Sequence, residues 1–176
     1  MSSCHRMLIH IPVLTLTAIV VLACGLTAKA DEWHWRVLDQ GDGALLVISN
    51  GEQGTDQFGL PLFSCKKGLN SIDVEGEAKE DLRFAMADLI RADEVPWIKV
   101  IPQTTPEDGA TLDLYTNMQD GWRYKFTLRG DHKAFDRFRQ SGVIEFKLGE
   151  TTVREEFKAE LEGVGKFFEL CNGPRK

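Results

Sequence analysis

The most regular pattern in the chain is an alternation of period two. Trp122, Tyr124, Phe126 and Leu128 alternate with Arg123, Lys125, Thr127 and Arg129, which predicts a strand with one buried face. Upstream, Leu112, Leu114, Thr116 and Met118 alternate with Asp113, Tyr115 and Asn117, and Gln119-Asp120-Gly121 lies between the two runs. A two-residue turn would put the two apolar rows on opposite faces. A hairpin over 111–129 with a three-residue loop is therefore expected, pairing Met118 with Trp122 and Leu114 with Phe126 and using Gly121 as the left-handed residue. That register sets Tyr115 opposite Lys125 and Asp113 opposite Thr127 on the outer face.

Shorter apolar runs predict further strands. Trp33–Val37 and Leu45–Ser49 flank a turn signal at Gln40-Gly41-Asp42-Gly43, and Leu60–Lys66 and Ser71–Glu75 flank another at Lys67-Gly68-Leu69-Asn70. Val143–Leu148 alternates as well, and Trp97–Ile101 reads as extended after Pro96. Asp131 is the expected cap of a short helix carrying Ala134, Phe135 and Phe138, ended by Gly142. The segment 153–171 fits either one long amphipathic helix with a Thr152/Glu155 capping box or a strand followed by a helix. Gly163 and Gly165 would each cost a helix interior about 1 kcal/mol, so a strand to about Glu162 and a short helix at 164–171 are expected. Within 78–102 the pattern allows both: Leu82, Met86, Leu89 and Ile90 suit a helix, and Leu82, Phe84 and Met86 suit a strand. Gln103–Gly109 reads as a polar loop. Short strands separated by frequent turn signals predict a mainly β fold, an antiparallel sandwich or barrel-like domain with one or two short helices, one of them C-terminal.

The N-terminus sets the expected compartment. Arg6 precedes an almost wholly apolar run from Met7 to Leu26, then Ala28-Lys29-Ala30 and the acidic pair Asp31-Glu32. A charged start, an apolar middle and a small-x-small ending make residues 1–30 a bacterial-type secretory signal peptide, preferred over a retained membrane anchor, and 31–176 a single domain. Val21-Leu22-Ala23-Cys24-Gly25 also resembles a lipoprotein signal with Cys24 as the lipidated residue, an alternative to cleavage after Ala30. Removing residues 1–30 takes away Arg6 and Lys29 but no acid, moving the net charge from −6 to −8. Such an acidic balance disfavours nucleic acid and anionic lipid as partners. The expected location is the periplasm of a Gram-negative bacterium, or outside the cell. Cys65 and Cys171 are the two cysteines left after processing, and an even pair in an oxidising compartment reads as one disulfide.

Leu62-Phe63-Ser64-Cys65, Phe157-x-Ala159-x-Leu161-x-Gly163 and Phe167 to Cys171 together resemble small exported proteobacterial proteins that end in a strand, a glycine, a short helix and a cysteine. The VasI-like accessory proteins of type VI secretion share this loose pattern. The resemblance implies a β-rich scaffold and a disulfide, and no function.

Candidate chemistry is sparse. His34 and His132 belong to no metal spacing, and His34 is expected to face away from Trp33 and Trp35 towards solvent. His132 beside Asp131 reads as part of a capped helix in preference to an acid–base dyad. Ser49, Ser64, Ser71 and Ser141 have no nucleophile elbow around them. Acids are plentiful, including Asp73, Glu75, Glu77, Glu80, Asp81, Asp108, Asp113 and Asp120. A glycosidase needs two at the right separation, which sequence does not measure. No catalytic, cofactor or metal site is assigned. Trp33, Trp35, Trp97 and Trp122 lie in or beside strands and are expected mostly in the core; Trp33 and Trp35, on one face near the new N-terminus, are the candidate partner contacts. The expected function is a non-enzymatic envelope binding or accessory protein with an envelope or secreted protein as partner. The alternatives are a small glycan-acting hydrolase with a carboxylate pair and a structural or surface protein.

Overall fold

Alternating apolar and polar residues make one-sided strands, and two such faces pack against each other in the computed structural model of the chain. It describes residues 33–50, 58–103, 105, 108–117, 121–157 and 161–172. The expected signal segment 1–30, including Cys24, lies outside the described residues, as do Met118, Gln119 and Asp120. The strands are β1 (His34–Asp39), β2 (Gly43–Ser49), β3 (Phe58–Lys66), β4 (Ser71–Glu77), β5 (Trp97–Ile101), β6 (Gly109–Thr111), β7 (Asp113–Asn117), β8 (Gly121–Arg129), β9 (Val143–Leu148) and β10 (Thr151–Glu156). They form a six-stranded sheet ordered β1-β2-β3-β4-β8-β7 and a four-stranded sheet ordered β10-β9-β5-β6. Among the described residues the strand pairings are all antiparallel. The fold is the expected antiparallel β sandwich.

Among the described residues three helices, one more than expected, complete it: α1 (Glu80–Arg91), α2 (Lys133–Ser141) and α3 (Glu162–Asn172). Over half of the large sheet the partner layer is the small sheet, with Phe146 of β9 edge-on to Tyr124 and Phe126 of β8. Over the other half it is helical: Phe63 of β3 meets Phe135 and Phe138 of α2 and Phe167 of α3. Fully burying one such aromatic side chain is worth about 1.5–3 kcal/mol. Within the stretch 78–102, left open between helix and strand, residues 80–91 are helical. Leu82 and Met86, one turn apart, are buried, and Phe84, which a strand would have placed beside them, is exposed.

The hairpin departs from its expected register by two residues. Asn117 pairs with Gly121, Leu114 with Tyr124, Tyr115 with Arg123 and Asp113 with Lys125. Gly121 is left-handed, φ 81°, as expected, but it opens β8 and lies outside the loop. A slip of two keeps every side chain on its own face, so apolar alternation does not distinguish the two registers; the observed one sets Asp113 across from a lysine. At β2–β3, Leu46 pairs with Phe63 and Ile48 with Gly59, so β3 bulges opposite Val47. Pro61, which has no N–H for a ladder, sits in that bulge.

Helix ends supply two corrections. The cap of α2 is His132, not Asp131: its Nδ1 accepts the Ala134 N–H at 3.1 Å. Gly142 ends α2 in the left-handed region, φ 68°, as expected. At the C-terminus the strand stops at Glu156, and the helix begins at Glu162 with Gly163 and Gly165 inside it. A Cβ at Gly163 would lie 2.7 Å from the Trp35 carbonyl oxygen. Glycine lets α3 rest on the β1 backbone, and that contact offsets the glycine's low helix propensity. Cys65 at the end of β3 and Cys171 in α3 form the expected disulfide, with a Cα–Cα distance of 5.7 Å. It closes a loop with a sequence separation of 106 residues, worth about 4–5 kcal/mol in the chain-entropy account.

Candidate functional site

Three regions gather polar or aromatic groups. The first is an open cleft of about 510 Å³ where the start of β6, the end of β8 and the start of α2 meet, lined among others by Asp108, Thr127, Arg129, Asp131, His132 and Lys133. Because His132 Nδ1 accepts a backbone N–H, the neutral ring carries its proton on Nε2. That atom is buried and has no hydrogen-bond partner among the described residues. Burial lowers the imidazole pKa, Asp108 and Asp131 oppose the shift, and Arg129 adds to it. Asp131 is turned to Arg129, whose Nε bonds Oδ1 at 2.9 Å and whose Nη2 bonds Oδ2. This pairing keeps Asp131 below the usual carboxylate range. The Asp131–His132 neighbours thus serve two different partners and form no dyad.

The second region is the outer face of the large sheet. Tyr115 donates to Glu75 at 2.5 Å, Thr127 donates to Asp73 at 2.6 Å, and Lys125 bridges Asp73 at 2.8 Å and Glu75 at 3.7 Å. These bonds tie β7, β4 and β8 together. Asp73 and Glu75, two of the acids in the sequence inventory, are therefore occupied by lattice-like pairing across strands. Asp113, across from Lys125, has no ion pair or hydrogen bond among the described residues, because the lysine is committed to β4. On the inner side, the buried Tyr124 reaches Glu155 of β10 at 3.3 Å, and burial raises the Glu155 pKa.

The third region is the aromatic set. Trp35 is buried against Phe63, Phe138 and Phe157, and Trp33 is partly buried against Phe157. This strand pins the start of the domain into the sheet. Trp35 thus leaves little surface for a partner. Trp97 and Trp122, expected in the core, are instead 44% and 43% exposed. Trp97 points outward from β5 beside Gly109, whose missing side chain leaves room for the indole. Trp122 shares the inward row of β8 but stands at its end, beyond the buried Tyr124. Their only sequence signal is position: each opens a strand or nearly so, after Pro96 and Gly121. His34 is partly buried, where solvent exposure was expected, and it is not without a partner. Ser49 is fully buried beside Arg36. Among the described residues no cluster of three His, Cys, Asp or Glu side chains could hold a metal, and no helix is long and apolar enough to cross a membrane. The chain matches no family model, no curated protein and no solved structure.

Proposed function

We propose that the protein is an exported, non-enzymatic binding or accessory protein of the bacterial envelope, recognising another protein through aromatic side chains fixed on strands. The observation that carries this reading is the exposure of Trp97 and Trp122 on strands of a disulfide-closed sandwich. Tryptophan is the residue type richest in binding free energy at protein interfaces, and strands hold it at low cost in side-chain ordering. The disulfide and the signal-like N-terminus support an oxidising location.

The test is affinity capture from the native envelope, with the protein C-terminally tagged and expressed at native level. One dominant protein partner is expected. Its recovery should fall at least about tenfold in a Trp97→Ala/Trp122→Ala double variant that keeps wild-type thermal stability. Capture of peptidoglycan fragments alone would sink the reading and favour a glycan-acting protein.

A further inference from the structure

Among the described residues the sandwich has four edge strands, and three of them are covered or blunted. Along β1 lies α3, with Gly163 against the Trp35 carbonyl. Along β10 lies α1, and three of the six β10 residues are charged: Arg154, Glu155 and Glu156. The edges of β6 and β7 are one continuous segment, Gly109–Asn117, which leaves the small sheet and enters the large one at the buried Leu112. Its neighbours in the fold are β5 and β8, on the inner side. Of its nine residues only Asp113 is charged, and it contains no lysine or proline. Natural edge strands are normally blunted by such residues or covered; β6, at three residues, is blunted by its length alone.

What flanks this edge indicates its use. Trp97 is paired with Thr111 and Trp122 with Thr116. The two exposed indoles therefore adjoin the edge at positions five residues apart, roughly 16 Å of extended chain. Between them the exposed Asp113 has no partner among the described residues. We propose that the β6–β7 edge accepts an extended segment of a partner protein as an added strand beside β7, with a basic side chain against Asp113 and flanking contacts on Trp97 and Trp122. Main-chain bonds supply affinity in this mode and alternate side chains supply selectivity. A second copy of the chain suits the edge poorly. Each copy carries a net charge of −6, and self-pairing of β7 about Tyr115 would set Asp113 against Asn117, leaving both carboxylates unneutralised.

The inference rests on the binding reading above, and its test separates the two. A photo-crosslinking residue at Thr116, with a control at Thr152 on β10, is placed in the full chain in its native envelope. The segment joined to position 116 is mapped and synthesised as the probe peptide. It should contain Lys or Arg within an extended run, and it should slow hydrogen exchange of the outward amides of 113–117 by at least about tenfold. Asp113→Lys should weaken the peptide at least about tenfold, while Glu169→Lys, the same charge change at an exposed position of α3, should leave it within about twofold. A partner joined from Thr152 alone, or bound equally by the Asp113→Lys variant, overturns the edge site and leaves the binding reading standing. Crosslinks to the chain itself overturn the choice of occupant. No crosslinked protein from either position, together with an empty capture experiment, removes both.

Discussion

The two margins of the large sheet are finished in opposite ways. At β1 the chain folds back on itself: α3 lies along the strand, Trp35 is enclosed by three phenylalanines, and Cys171 is bonded to Cys65. At β7, among the described residues, the margin has no further strand beside it, Asp113 is unpaired and Trp122 is half-exposed. The first margin places its aromatic residues where they stabilise the fold, and the second places them where the fold does not use them. One molecule thus separates the aromatic residues that make it stable from those left exposed at its margin.

The contrast can be broken at several points. Replacing Cys65 and Cys171 together with alanine removes the staple of the closed margin and is expected to cost about 4–5 kcal/mol in denaturant unfolding. Phe138→Ala empties the space against Trp35 and Phe63 and should cost about 3–5 kcal/mol, whereas Trp122→Ala at the open margin should cost under about 1 kcal/mol by the same measurement. Equal losses at the two sites would erase the distinction. Gly163→Ala presses a methyl group towards the Trp35 carbonyl, with an expected loss of about 1–3 kcal/mol. The smallest effect belongs to Glu155. Its pKa is raised in the folded state by burial, so the folded protein binds the proton more tightly than the unfolded chain. The resulting stability is complete below the unfolded value near 4.5 and is lost as the pH rises through the folded one. Glu155→Gln keeps an acceptor for Tyr124, so thermal melts between pH 4 and 8 should show the variant gaining on the wild type as pH rises. A constant difference across that range would mean Glu155 is solvated like a surface acid.

The alternation that announces β8 and β9 was legible because each strand has one buried face. Its register was not, because period two is blind to a slip of two residues. Leu82 and Met86 satisfy both periods, and only the exposure of Phe84 separates them. The start of α3 was hidden by Gly163, whose sequence cost is visible while its compensating contact with β1 is a tertiary fact. Cys65 and Cys171 were readable by count alone. The exposed tryptophans were the least legible part. Tryptophan in a strand points to the core on average, and the exposure of Trp97 and Trp122 follows from their places at strand starts.

The Cys65–Cys171 bond also turns most of the domain into a covalent ring. Everything from β4 through β10 lies inside it, and β1, β2 and nearly all of β3 hang from it by one peptide junction. A protease that cuts the polar stretch between β5 and β6 therefore opens the ring without dividing the molecule. The two pieces stay joined at sulfur and separate on a denaturing gel only after reduction. One bond between the third strand and the last helix thus lets a nicked molecule keep both of its parts.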